Sequence, residues 1–516
     1  MKLYNNKLFF LIIGTGFFLL SCTKDFEEVN TNPTSPEVVP IGYLFTNAIA
    51  VGPGSEYEIR RANLRFCATV VQHLASPLAT LWDGDKYQYY EEQSSALFGS
   101  TYTSPLKAIE DVLDKAAKEE NNANYIACAK IWKVLVMHKV TDLYGDVPYS
   151  EAGKGYLEQV FLPKYDAQKD IYDKMLAELD EAAAALDATK PTFGNADVIY
   201  QGDVTKWKKL ANSLMLRLGF RLIKVDAAKA EQWVKKAIAG GVMQSNADIC
   251  YTKHDPINYL NPNGYAFIRR GEIANQEVKL SLTFVNFMKS KGDPRLSIYG
   301  NLHKDGAGNV DNTPANQKGL PNGWDNSSGT AYPSLESYSG GANLLTYTEP
   351  GINIIREDAP FFFITYAESE LLMAEAAVRG WITDDAALHY NKGVEAAMKA
   401  LALYPNNPTI PDAQVTTYLT ANPFPAGSNE QKLEAINTQY WAAVFLNEYE
   451  AFANWRRTGY PVLTPVNYPG NVTGGKIPRR LKYPQSEYGI NKVNVDAAVS
   501  RQGADEMITP VWWDKQ

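Results

Sequence analysis

Apolar residues spaced three and four apart constrain this chain more than any other feature. Ile364, Ala367, Leu371, Ala374 and Val378 keep that rhythm, Gly380 interrupts it, and Ala387, Tyr390, Val394, Ala397 and Leu401 resume it behind Thr383. Such spacing puts the apolar groups on one helical face, so the stretch predicts two helices folded back across a short turn, the second capped by Thr383. A pair of this size cannot bury both of its faces alone, and other pairs must stack on it. The first half of the chain supplies them. Ser104 caps and Pro105 starts a helix lined by Leu106, Ile109, Leu113 and Ala116. Asp166 opens another with Ile171, Met175, Leu179, Ala182 and Leu186 inward, and Asp203 opens a third with Trp207, Leu210, Leu214 and Leu218 inward.

The expected fold class is therefore mainly α, with a tetratricopeptide-like helix-pair scaffold, although the pattern alone fits a plain helical hairpin equally well. Helical scaffold is expected over residues 40–240 and 361–455 of a single domain, 40–516. Between 241 and 360 the helical period fades while Gly, Asn, Pro, Ser and Tyr become dense, which predicts a long loop-rich region of the kind that carries function. Residues 456–516 read as an irregular C-terminal segment.

The N-terminus gives an address. Lys2 and Lys7 precede the apolar run Leu8–Leu20, which is followed by Ser21 and Cys22. The run is too short for a bilayer core of about 30 Å, which needs about 20 residues. A basic start, a short apolar stretch and a small residue before cysteine instead match a lipoprotein leader, 1–21, with Cys22 the acylated residue. Residues 22–39, charged and carrying Pro33 and Pro36, form an extended tether that holds a soluble body at a membrane through lipid.

The formal net charge of −8 repels phosphate backbones, and no Lys/Arg-rich stretch interrupts it, so nucleic-acid partners are not expected. With Cys22 acylated, Cys67, Cys128 and Cys250 remain, an odd number that argues against a disulfide framework. Cys67 shares a helical face with Leu64, Val71, Leu74 and Leu78, and Cys128 with Tyr125, Trp132 and Leu135, so both thiols read as small core hydrophobes.

No catalytic or cofactor signature survives inspection. Gly470–Lys476 approximates a nucleotide-binding loop, but Ile477 stands where the Mg²⁺-binding hydroxyl belongs and Pro478 blocks the helix that should follow. The five histidines lack zinc-ligand spacing. Asp305, Asn309 and Asp311 offer oxygens to calcium, yet they miss the EF-hand pattern and read as a solvated loop. No cofactor is expected, with a bound calcium ion left open.

Two clusters point to a ligand. Trp82, Asp83, Tyr87, Tyr89 and Tyr90 follow the break at Pro77, and Trp324, Asp325 and Asn326 lead on to Tyr332, Tyr338 and Asn343. Aromatic faces stack on the C–H face of a sugar, and neighbouring carboxylate and amide groups bond its hydroxyls. Inward packing of the same rings is the competing reading. An oligosaccharide is the expected ligand; peptide capture, a glycoside hydrolase built on paired carboxylates, and a pure assembly scaffold are the alternatives.

Several segments together resemble the SusD/RagB family of nutrient-binding outer-membrane lipoproteins, in its SusD-like branch. They are Asn30–Pro33, Asp142–Ala152, Lys206–Leu214 with Arg217, Ala374–Trp381 with Tyr390–Val394, Trp455–Pro461, Ile477–Leu481 with Tyr483 and Pro484, and Val511–Asp514. The resemblance implies tetratricopeptide-like helix pairs as scaffold and irregular loops as ligand surface. It implies a non-enzymatic lid that captures an oligosaccharide or peptide at the cell exterior and delivers it to a SusC-like, TonB-dependent barrel. Its motifs, rich in Trp, Arg, Pro and Gly, read as scaffold signatures, and ligand residues do not carry over position by position.

Overall fold

Pro40 leads into the first helix, α1 (Ile41–Ala50), of a computed structural model that describes residues 39–303, 309–325 and 344–515. A π-helix follows at Ile59–Ala68. Gln72, in the left-handed conformation at φ 58°, then turns the chain into a two-residue strand, Leu74–Ala75, antiparallel to Lys279–Leu280. The helical face expected through Leu78 thus ends sooner, because Leu74 pairs with Leu280 as a strand residue. Cys67 and Cys128 are buried free thiols as read, and Cys250 joins them.

After the short helix α2 (Asp83–Lys86) come α3 (Glu91–Thr103), α4 (Pro105–Ala116), α5 (Ala123–Tyr144), α6 (Gln168–Ala185), α7 (Val204–Arg221) and α8 (Ala227–Gly240). From α4 onward each packs on its predecessor. This sequential stacking is what helices with one apolar face require. Pro105 begins α4, but the Ser104 side chain makes no cap bond. Asp203 caps α7 by accepting from the Thr205 and Lys206 amides at 2.9 and 3.1 Å. Asp166 does not open α6. Its carboxylate accepts from the Tyr149 and Ser150 amides at 3.1 and 2.7 Å, pinning the turn that precedes the helix.

Among its described residues, the longest helix of the region read as loops is α9 (Leu282–Lys291), with short strands before and after it. The later hairpin is α10 (Tyr366–Val378) and α11 (Ala386–Ala400). Thr365 and Glu368 close a capping box on α10, and Gly380 ends its turn at φ 72°. Asp385 rather than Thr383 caps α11, accepting from the Ala387 amide at 2.9 Å. A helix at Asp412–Ala421 packs on α11, and α12 (Asn429–Ala443) and α13 (Glu448–Thr458) follow it. The C-terminal segment read as irregular contains α14 (Gln485–Ile490) and α15 (Lys492–Gln502). Its helices are short, and α15 buries only Val495 and Ala498, so the apolar period is too sparse to announce them.

A buried polar spine ties the stack together. Arg217 meets Glu368, and Arg221 meets Glu450 at 2.7 Å. The Tyr440 hydroxyl lies 2.9 Å from Glu368 and 2.8 Å from Glu450. Arg456 donates to the Asp142 carbonyl at 2.6 Å, and Trp513 donates to the Asp142 carboxylate at 2.9 Å. The conspicuous motif residues Asp142, Arg217, Arg456 and Trp513 therefore serve the scaffold.

The α10–α11 hairpin also contains a titrating contact. His389 Nδ1 lies 2.6 Å from Glu370 and Nε2 lies 3.2 Å from Asp384. The hydrogen bond to Glu370 leads the effects that raise its pKa. A folded value above the unfolded one makes this stabilisation fully present below the unfolded pKa, and it is lost as pH rises through the folded pKa. The thermal-midpoint advantage of the wild type over His389→Gln should shrink as pH is raised from about 5 to about 9. A pH-independent difference would refute this linkage.

Candidate functional site

The described part of the second expected loop, 318–325, lies against the first. Asp85, on α2, accepts from the Asn322 side-chain amide at 2.6 Å and from the Gly323 amide at 3.3 Å. Asn322 also donates to the Leu74 carbonyl at 2.8 Å, and its side-chain oxygen accepts from the Ser281 hydroxyl at 2.6 Å. The loop after α9 is thus locked to the strand end before α2. A third segment joins them. Val466 donates its amide to the Tyr87 hydroxyl at 3.2 Å, Val472 donates to the Tyr87 carbonyl at 2.8 Å, and Tyr468 donates to Asp325. Burial raises the Asp85 pKa despite the Lys86 ammonium beside it.

Within this junction the expected residues divide. Trp82, Asp83 and Tyr87 face inward, at 0, 2 and 1% exposure. Trp82 sits under the Arg65 guanidinium, 5.4 Å from its ring, and burial pushes the Asp83 carboxyl well above its ordinary pKa. As sugar contacts these three are corrected: α2 winds Asp83–Lys86 into a helical turn against the π-helix, which carries the side chains into the core. Trp324 and Asp325 are also largely covered, Trp324 packing with Tyr347 at 6.1 Å between ring centroids. Tyr89 and Tyr90 remain half-exposed at the lip, the Tyr90 hydroxyl donating to Gln88 at 3.3 Å and the Lys482 ammonium lying 4.7 Å from the Tyr89 ring. Asn326, Tyr332, Tyr338 and Asn343 lie outside the described residues, as do Cys22 and Asp305.

Sequence reading missed Asn322, Tyr347 and the segment around Asn467, Tyr468 and Asn471. The stretch Asn467–Tyr468–Pro469–Gly470–Asn471 has the same aromatic-and-amide character as the other two and overlaps the apparent nucleotide loop. That loop is a turn: the Asn471 side-chain oxygen accepts from the amides of Thr473 and Gly475 at 3.1 and 2.9 Å. A separate cleft of 640 Å³ opens at the other end of α9, beside Pro461 and Val462. Its rings Tyr390 and Tyr418 are buried, and Phe287 is half-exposed in its wall.

This fold and this chain match known proteins over nearly their whole length. Residues 33–484 fit the SusD-like family described as starch-binding and associating with the outer membrane. The chain belongs to the SusD-like family. A solved chitin-binding protein is similar at 33% identity, with a TM-score of 0.81, over 92% of this chain and 100% of that one. A SusD-like protein from Bacteroidetes is 27% identical, TM-score 0.82, over 93% and 100% of the two chains. A chitin-binding SusD homologue from Flavobacterium johnsoniae is 25% identical, TM-score 0.75, over 92% and 98%. No curated protein matches. The SusD-like match accords with the stacked helix pairs of this fold. Among the described residues no helix is long and apolar enough to cross a membrane.

Proposed function

We propose that this SusD-like chain is a lipid-anchored, non-enzymatic protein of the cell exterior that captures oligosaccharides of N-acetylglucosamine and passes them to a SusC-like, TonB-dependent barrel. The observation that carries the reading is the three-loop junction, whose lip offers Tyr89 and Tyr90 beside the amide of Gln88, with Tyr347 half-exposed on the adjoining loop. Rings supply stacking surface, and amides pair with hydroxyl and acetamido groups without requiring charge. The chitin-binding relatives supply the sugar class. Cys22 and its tether supply the anchorage.

Calorimetry of the lipid-free chain against N-acetylchitohexaose, maltohexaose and a panel of peptides tests the ligand. Micromolar binding of the chitin oligomer is expected. Tyr89→Ala with Tyr347→Ala should weaken it by at least tenfold, which corresponds to about 1.4 kcal/mol. Binding of peptides alone, or release of reducing ends from the glycan, would overturn the reading.

A further inference from the structure

The cleft beside Pro461 and Val462 carries chemistry that the lip does not. Its 640 Å³ falls within the roughly 300–1,000 Å³ of sites that hold small organic ligands. Phe287 and Lys291 line it from α9, and Gln431, Glu434 and Thr438 line it from α12. The Asn422 side chain ties the helix at Asp412–Ala421 to the end of α9, donating to the Lys291 carbonyl at 2.9 Å and to the Tyr418 carbonyl at 3.0 Å. The walls are therefore fixed by the scaffold. Their apolar part is open to a ligand, Val462 being 75% exposed and Phe287 half-exposed.

Buried groups set the polarity of one side. Arg295, fully buried and paired with Asp293 at 2.6 Å, donates to the Gln439 side-chain oxygen at 2.8 Å. A guanidinium only donates, so this contact orients the Gln439 amide with its oxygen towards Arg295 and its nitrogen away. That nitrogen donates to the Tyr418 hydroxyl at 2.7 Å and lies beside the Tyr390 hydroxyl. Both tyrosines line the cleft. The Tyr418 hydroxyl thus receives a bond and keeps its own proton, which no described residue accepts. A buried hydroxyl proton calls for an acceptor, and a carboxylate is the strongest one.

The charged groups narrow the ligand further. Lys291 and Glu434 line the same cleft from different helices, yet neither forms an ion pair with the other or with another described residue. They stand beyond salt-bridge distance of each other, so one molecule that joins a carboxylate to an ammonium through an apolar body answers both. The amides between them match a peptide unit. Asn422 spends its nitrogen on two carbonyls and leaves its oxygen to accept; the Gln431 oxygen accepts from the Ser428 amide at 2.9 Å and leaves its nitrogen to donate. A neutral glycan would leave both charges unanswered. We infer that this cleft is a second ligand site, separate from the lip, for a short peptide with free termini. Its carboxylate meets the Tyr418 hydroxyl and the Lys291 ammonium, its apolar side chains lie on Phe287 and Val462, and its ammonium meets Glu434.

Calorimetry of the lipid-free chain with the tripeptide alanyl-leucyl-phenylalanine, its N-acetyl form and its C-terminal amide tests it. The uncapped tripeptide is expected to bind with a dissociation constant below about 1 mM. Each cap should weaken binding about threefold to fivefold, the scale of an exposed ion pair. Glu434→Gln should bind the N-acetyl and uncapped forms alike, and Lys291→Gln should lose most of the preference for carboxylate over amide. Both positions are exposed, so both variants should keep the wild-type melting temperature and affinity for N-acetylchitohexaose. Saturation with that glycan should leave tripeptide affinity unchanged. No binding of the uncapped tripeptide, equal binding of all three forms, preferences that survive in the two variants, or competition with the glycan overturns the second site. A chain that binds the tripeptide with these preferences and binds no glycan overturns the reading of the lip alone.

Discussion

Arg457→Ala is expected to lower the unfolding free energy by about 3–5 kcal/mol, the range for removing one partner of a buried ion pair. Arg457 reaches Glu375 through two parallel bonds of 2.7 and 2.8 Å, and also donates to Asn437 at 3.1 Å and Asn454 at 2.8 Å. The two side chains are 1 and 0% exposed. Burial pushes the Glu375 pKa up, but Arg457 and Arg379 outweigh it and hold the group at about 2. Without Arg457 the carboxylate keeps one cation, Arg379, at 2.8 Å and partly exposed to water, and the neutral Asn437 amide at 3.2 Å. Urea unfolding at neutral pH measures the loss, and a cost below about 1 kcal/mol would contradict the argument. Glu375→Leu/Arg457→Leu should recover part of it, because no charge is then stranded. The sign with pH follows. A depressed carboxylate contributes fully above its unfolded pKa and loses that contribution as pH falls towards about 2, so the gap between wild type and the double variant should move against the wild type in acid.

That prediction explains why the scaffold was legible and much of the rest was not. Apolar spacing of three and four exposes a helix whenever one face is buried, and it placed α4 to α7, α10 and α11 correctly in kind. Their ends were less certain because several acceptors compete near each start. Asp166 and Thr383 looked like caps, but Asp166 serves an earlier turn and Asp385 lies nearer the first helical turn of α11. The motif residues Arg456 and Arg457 read as scaffold signatures, but their charge, like that of Glu375, hid the fact that they are core. Only a fold that brings α10, α12 and α13 together can reveal that these groups satisfy one another.

The proposed ligand surface rests on composition, which does not carry direction. Aromatic and amide residues in two loops pointed to a ligand surface, and those loops are joined at Asp85 and Asn322. Which rings face outward depends on the backbone. Trp82, the most conspicuous of them, goes inward because α2 forms against the π-helix; the spacing of Leu64, Cys67 and Val71 announces a helix there but not the turn that packs on it. Tyr89 and Tyr90 stay at the lip because Tyr87, left-handed at φ 54°, ends the turn just before them.

That turn depends on one residue. Gly84→Ala is expected to weaken binding of N-acetylchitohexaose by more than tenfold and to destabilise the fold by about 1–3 kcal/mol through overpacking. A Cβ at Gly84 would lie 2.2 Å from the Phe66 carbonyl oxygen and 2.4 Å from the Thr69 hydroxyl. The carbonyl belongs to the π-helix, packed between α3 and α13, so α2 is the side that must yield. Its next residues carry the connections that assemble the lip: Asp85 to Asn322 and Gly323, Tyr87 to Val466 and Val472. An outward shift of one turn therefore loosens all three loops together. Hydrogen exchange should accelerate in 318–325 and 464–472 while α10 and α11 keep their protection, and calorimetry should record the weaker glycan binding. Gly99→Ala is the matched control: it lies within α3 with nothing inside 4 Å of a new Cβ, so it should leave binding unchanged and add up to about 1 kcal/mol of helix stability. If Gly84→Ala instead binds the glycan like the wild type, the α2 turn does not position the lip, and the ligand must be held by loops that do not depend on it.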